Sequence, residues 1–246
     1  MNRFILVYAL CCYVLFGVVF AWFAVFLLNV GDLRGPARAS VGPSFTVNLG
    51  LITLFCVAHS VMARPAFKRV WTQIIPPAGE RATYVLQSSV LLGLIIWQWH
   101  PIPTVVWHID GIAACVIFGA FAIGAVIILA STFLLGHFEF VGLSQALDNL
   151  RGVRPRRPAF RTPMLYRIVR HPLQLGLLIM MISTPVMTLG HLIFVSAMLL
   201  YILIGLQFEE RALLREFGSS YATYKREVPM LIPNPFRRPV RREAAE

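Results

Sequence analysis

The stretch LQLGLLIMMISTPVMTLGHLIFVSAMLLYILIGLQF, Leu173–Phe208, runs 36 residues without an Asp, Glu, Lys or Arg, between Arg170-His171-Pro172 and Glu209-Glu210-Arg211. A membrane-spanning helix needs about 20 predominantly apolar residues, so this run is too long for one span and short for two. Ser183-Thr184-Pro185 and Gly190-His191 supply breaks, which puts a turn near Met187–Gly190 and leaves a short first arm. Such a hairpin returns two adjacent carboxylates to the level of an Arg-His pair. Ionisable groups at membrane depth are costly and by default mark a functional site.

Outward from the hairpin, four further apolar runs precede it: Phe4–Leu28, Phe45–Met62, Thr83–Trp99 and Ile112–Leu135. With 58% hydrophobic residues in long blocks, the chain reads as an all-α, polytopic integral-membrane helical bundle. Five to six spans are expected, the last two forming the hairpin, followed by a C-terminal segment at one membrane face. The first run has 25 uncharged residues, against roughly 7–15 in a signal-peptide core, and should stay in the membrane. The whole chain, 1–246, reads as one domain: four spans in 1–135, a loop at 136–170, then the hairpin and its tail at 171–235.

Charge fixes the orientation. With both termini in the cytoplasm, 20 of the 22 basic residues lie on that side, leaving Arg34 and Arg38 opposite. This is the positive-inside pattern, and it suits an inner membrane with anionic lipids as partners. The net charge of +11 therefore needs no nucleic acid to explain it. Cys11, Cys12, Cys56 and Cys115 all fall in apolar runs without paired spacing, and read as small buried hydrophobes.

In the loop, Arg151–Pro158 is basic and proline-bearing and reads as an exposed strap on the membrane surface. After Glu209 the tail begins as a helix, with Leu213, Leu214, Phe217, Tyr221 and Tyr224 on one face. Gly218 interrupts it and Val228-Pro229 ends it, while Phe236–Glu246 reads as a flexible tail.

Topology sorts the polar residues. His59, Glu80, Arg81, Tyr84, His137, His171, Glu209 and Glu210 all reach the cytoplasmic boundary. His100, His108 and His191 reach the opposite one, where interfacial solvation accounts for them. Arg64, Lys68, Arg69, Arg211 and Arg215 are expected to be ordinary snorkelling anchors. Two adjacent carboxylates are poor anchors, so Arg170-His171 with Glu209-Glu210 is the candidate site. His171 and the glutamates lack the paired spacing of metal-ligand helices, and no metal is expected. No Gly-x-Gly-x-x-Gly, Walker-type or Gly-x-Ser-x-Gly loop occurs.

Arg170-His171-Pro172, the hairpin, Glu209-Glu210-x-x-Leu213, Phe217-Gly218-x-x-Tyr221-x-x-Tyr224 and Val228-Pro229 together resemble the isoprenylcysteine carboxyl methyltransferase-like superfamily. Further pieces are similar to the bacterial methanethiol S-methyltransferases within it. These are His59-Ser60-x-Met62-Ala63-Arg64, Trp71-Thr72, Glu80-Arg81-x-Thr83-Tyr84-Val85 and Gly136-His137-Phe138-Glu139-Phe140-x-Gly142-Leu143. The resemblance implies S-adenosylmethionine as cofactor and a small volatile thiol as substrate, methylated to dimethyl sulfide. It also implies a cofactor site of Arg170, His171, Pro172, Gln174, Glu209, Glu210, Tyr221, Tyr224, Val228, Pro229, Met230, Leu231 and Pro233. Charge matching would set a glutamate on the amino group or ribose and Arg170 on the carboxylate, with the tyrosines and Val228–Pro233 around the adenine. Gln174 stands where the superfamily often has tyrosine. For deprotonating the thiol, His59, His137 and Arg81 are candidates, with Tyr84 positioning and His59 the expected base. A methyltransferase for a larger lipid-like acceptor, a non-catalytic NnrU-like membrane protein and a reductase are the alternatives.

Overall fold

The computed structural model describes residues 2–28, 39–153 and 160–234. Ten helices are defined among them: α1 Asn2–Leu28, α2 Val41–Met62, α3 Pro65–Trp71, α4 Pro77–Gln98, α5 Gly111–Leu135, α6 His137–Phe140, α7 Leu143–Arg151, α8 Pro172–Ile182, α9 Leu189–Phe217 and α10 Ser219–Glu227. Helices α1, α2, α5 and α9 are long and apolar enough to cross a membrane. The protein is an integral-membrane helical bundle, completed by α4 and the shorter α8.

The 36-residue apolar run divides where proline and glycine required. Helix α8 has only 11 residues, and α9 starts at Leu189 after the Thr188 hydroxyl accepts from the His191 backbone N–H at 3.2 Å. Between them lies strand β2, Val186–Thr188, which pairs antiparallel with β1, Val105–His108. This ribbon closes the end of the bundle opposite Arg170 and Glu210. Trp107 Nε1 donates to the Thr184 carbonyl at 3.0 Å. Fully buried Asn48 exchanges two hydrogen bonds with the His100 backbone, at 2.7 and 2.8 Å, so its amide is satisfied.

His191 departs from expectation. Its side chain is 1% exposed and bonds through Nε2 to the Met181 carbonyl at 2.8 Å. It ties α8 to α9 inside the bundle instead of meeting interfacial water. His108 does lie exposed, paired with Asp110. Among the cysteines only Cys12 is buried, and Cys11 and Cys115 sit on outward faces, which lipid covers at no apolar cost.

The core centres on Phe23, Phe26, Trp99 and Phe194, packed edge to face. Helix α1 packs on α4 and α7, α2 on α4 and α9, and α5 on α8. The last pair approaches closely at Gly124 and Gly176, where a Cβ on either would lie 2.7 Å from the other's carbonyl oxygen. Small residues permit such backbone approach in membranes, where packing replaces the hydrophobic drive between helices.

The 136–170 segment is more structured than its composition suggested. It carries α6 and α7, then a 3-10 turn at Met164–Arg167; residues 154–158 of the expected basic strap lie outside the described residues, as does the expected tail Phe236–Glu246. Beyond α9, Gly218 at φ +58 separates α10, and Val228 leaves the helix in extended conformation, as the sequence indicated.

Candidate functional site

The sequence-predicted residues gather at the basic end of the bundle in three groups. The first is a buried ion-pair clasp. Arg170 Nε donates to Glu210 Oε1 at 2.7 Å and its Nη2 lies 2.6 Å from the same oxygen. Lys225 Nζ lies 2.7 Å from the other carboxylate oxygen, Oε2, and His171 Nε2 lies 3.3 Å from Oε1. Glu210 is 2% exposed, so three cationic or donor partners offset the desolvation of its charge.

The clasp also holds the chain's C-terminal segment. Arg170 Nη1 donates to the carbonyls of Lys225, at 2.8 Å, and Val228. The backbone N–H groups of Arg170 and His171 donate to the Pro229 and Met230 carbonyls at 2.9 and 3.2 Å. Val228–Leu231 thus lies along the entrance to α8, with Leu231 buried in the main core. Four of the five Arg170 N–H groups are committed to protein acceptors.

Glu209 is placed differently. Its side chain is 48% exposed, with Oε1 3.8 Å from His171 Nδ1. Tyr84 of α4 and Tyr166 lie within electrostatic reach of its carboxylate. Tyr221 and Tyr224 are buried against Phe160, and Tyr224 Oη donates to the Tyr166 carbonyl at 2.6 Å. Burial pushes both phenol pKa values up. These rings fasten α10 to the bundle behind the extended segment and present little open face.

The second group surrounds His59. Its Nε2 lies 2.6 Å from Tyr84 Oη and its Nδ1 3.0 Å from Ser88 Oγ. Ser88 donates to the Tyr84 carbonyl at 2.8 Å. Phe55 stacks on the imidazole and Tyr201 meets it edge-on. Arg81 lies over the Tyr84 ring, 5.1 Å from its centroid.

The third group surrounds His137. Its Nε2 lies 3.0 Å from Tyr13 Oη and its Nδ1 3.0 Å from Thr132 Oγ1, which donates to the Leu129 carbonyl at 2.8 Å. Phe133 stacks on this imidazole at 4.4 Å and Phe138 meets it edge-on. The two candidate histidines therefore keep separate partners. Arg81 touches both regions: it lies over Tyr84, and its Nε donates to the Phe140 carbonyl in α6 at 2.7 Å.

Sequence reading missed Lys225, Ser88, Tyr13, Thr132 and Tyr166. Ser88 had a usable signal, since Arg81, Tyr84 and Ser88 recur at helical spacing on one face of α4. Lys225 had none, because only the fold of α10 brings it to Glu210.

The NnrU protein family model matches residues 46–232. Methanethiol S-methyltransferase 2 of Bradyrhizobium diazoefficiens is 48% identical, covering 95% of this chain and 92% of its own. Methanethiol S-methyltransferase of Pseudomonas deceptionensis is 45% identical over 85% and 83% of the two chains. That of Mycobacterium tuberculosis is 43% identical over 96% and 99%. No solved structure matches. The chain belongs to the NnrU protein family and to the family of these methanethiol S-methyltransferases.

Proposed function

We propose that this chain, as a member of that family, transfers a methyl group from S-adenosylmethionine to the sulfur of methanethiol, giving dimethyl sulfide and S-adenosylhomocysteine. One observation carries the reading beyond family membership. The half-open Glu209 carboxylate lies beside His171 and within electrostatic reach of Tyr84, which is bonded to His59. A group suited to a cationic cofactor thus adjoins a group suited to deprotonating a thiol.

The residues fit the cofactor. When bound, S-adenosylmethionine supplies an electrophilic methyl on a cationic sulfur. Glu209 complements that cation and the cofactor's amino group, while His171 Nδ1 and the Gln174 amide offer polar contacts at the start of α8. Arg170 and Glu210, engaged with each other and with Lys225, act by fixing the Val228–Leu231 cover and Pro233 after it. His59 and Tyr84 remove the thiol proton. Arg81, always cationic, favours the resulting anion without accepting a proton itself. His137 orients α6, and through the Phe140 carbonyl it orients Arg81.

The proposed setting is a bacterial inner membrane with both termini cytoplasmic. A small apolar thiol reaches such a site through lipid and the charged cofactor reaches it from the cytosol. Headspace gas chromatography on purified protein with both substrates tests the reading. Dimethyl sulfide dependent on protein and cofactor supports it. Cofactor binding without dimethyl sulfide would replace methanethiol with a larger acceptor. Folded protein that neither binds nor turns over would restore the non-catalytic reading.

A further inference from the structure

We propose that Ser88 is the positioning residue that fixes the tautomer of His59, so that Tyr84 and His59 act as a two-step proton relay for the thiol. The proposal rests on the methyltransferase reading for its chemistry and on geometry alone for its structural half.

Ser88 has a single hydroxyl hydrogen. It is spent on the Tyr84 carbonyl, one helical turn earlier at 2.8 Å, so toward His59 the Ser88 oxygen can only accept. His59 Nδ1, 3.0 Å away, must therefore carry a hydrogen. In a neutral imidazole the second nitrogen is then bare. That nitrogen is Nε2, and Tyr84 Oη at 2.6 Å donates to it. The order of donors runs His59 to Ser88 to backbone, and separately Tyr84 to His59. Ser88 thus points the basic nitrogen of His59 at the Tyr84 phenol.

In the relay the Tyr84 proton passes to His59 Nε2 as the thiol proton passes to Tyr84 oxygen. The thiol sulfur lone pair forms the new bond to the transferred methyl carbon, and the pair of the broken sulfonium bond stays on the departing thioether sulfur. The cofactor's positive charge ends as a proton on His59, which solvent removes. Groups facing this pair are Arg81 from α4 and Tyr201 from α9, with Glu80 and Glu209 acting on Tyr84. None of them bonds to His59 Nδ1 in place of Ser88.

Two measurements test the proposal, one of them independent of turnover. The first is NMR of nitrogen-15 histidine-labelled protein in detergent, with His59 assigned by loss of its signals in His59→Gln. The Nδ1–H tautomer is expected in wild type, with loss of that preference in Ser88→Ala and its return in Ser88→Thr. An Nε2–H tautomer in wild type overturns the proposal whatever the activity. The second is the pH profile of kcat with methanethiol and S-adenosylmethionine. Ser88→Ala should lower kcat about ten- to hundredfold and move the acid limb, with cofactor KM within twofold, and Ser88→Thr should recover both. An active wild type whose profile Ser88→Ala leaves unchanged also overturns it. A wild type inactive with methanethiol would sink the substrate reading and leave the tautomer result to decide this one.

Discussion

Two histidines in this protein are wired alike and placed unlike. Each has a hydroxyl-bearing residue at Nδ1 whose own hydrogen is given to a backbone carbonyl, and a tyrosine hydroxyl at Nε2. The same donor arithmetic therefore makes both of them Nδ1–H tautomers with Tyr donating to Nε2. Their surroundings differ. His59 lies beside Arg81, through Tyr84 within reach of Glu209, and under Tyr201. His137 is packed between Phe133 and Phe138, and its tyrosine comes from α1. On the proposed reading, the histidine–tyrosine pair that serves catalysis is the one whose field includes charges able to act on a substrate. Elsewhere the same pair is a polar rivet between helices.

The largest expected effect breaks the comparison on turnover. General acid–base catalysis contributes about 10²–10⁴-fold, so His59→Ala should lower kcat by about that much with cofactor affinity within a few-fold. His137→Ala should leave kcat within about tenfold in protein that remains folded. Equal losses in both would remove the distinction between relay and rivet.

The next effect separates the two adjacent glutamates, which repeat the contrast at a second place. Removing one partner of a buried ion pair costs about 3–5 kcal/mol. Glu210→Ala, which strands buried Arg170, is expected to lower the unfolding midpoint strongly in detergent. Glu209→Ala should spare stability and weaken S-adenosylmethionine binding by about 1.5–3 kcal/mol, the usual worth of a hydrogen bond to a charged group. Calorimetry and thermal melts on both variants give the check. The assignment fails if Glu209→Ala binds the cofactor normally.

Gly142 links the two histidine regions mechanically. It has φ +89, and a Cβ there would come 2.6 Å from Ala82 N and 3.0 Å from the Arg81 carbonyl carbon. Gly142→Ala therefore strains the backbone, by about 1–3 kcal/mol, and pushes α4 where Arg81 departs toward Tyr84. Lower kcat with nearly unchanged cofactor affinity is the expected result, and unaltered kcat would show that α6 does not set Arg81.

Much of this was legible in the sequence because lipid imposes simple rules. Spans follow from apolar length, and the break at Val186–Thr188 follows from Pro185 and Gly190. The clasp was half legible. Arg170, His171 and Glu210 announced themselves as charges at membrane depth, but the third dimension alone decides that Glu210 faces inward to Arg170 and Lys225 while Glu209 faces out. Adjacent helix positions differ by about 100°, so one of two neighbouring carboxylates is expected to be buried; which one depends on how α9 rotates against α8. His191 was misplaced because depth was read from chain position, which gives height along a helix and not the face. Helices α6 and α7 were obscured by the prolines and arginines that follow them.

The smallest effect isolates the rivet. Burial lowers the His137 pKa below its ordinary value of 6.5, since a desolvated imidazole resists protonation. Below pH 6.5 the unfolded chain takes up a proton at this residue that the folded protein refuses, so the unfolded state binds more protons and gains. The contribution of His137 to stability is therefore fully present above pH 6.5. It declines as pH falls from there toward the folded-state value. His137→Gln keeps a polar side chain in α6 and removes the titration. Thermal melts of wild type and His137→Gln between pH 5 and 8 should converge toward the acid end, because only wild type loses this increment there. Curves that stay parallel across the range would mean that His137 is already open to solvent protons, and the aromatic enclosure by Phe133 and Phe138 would lose its role.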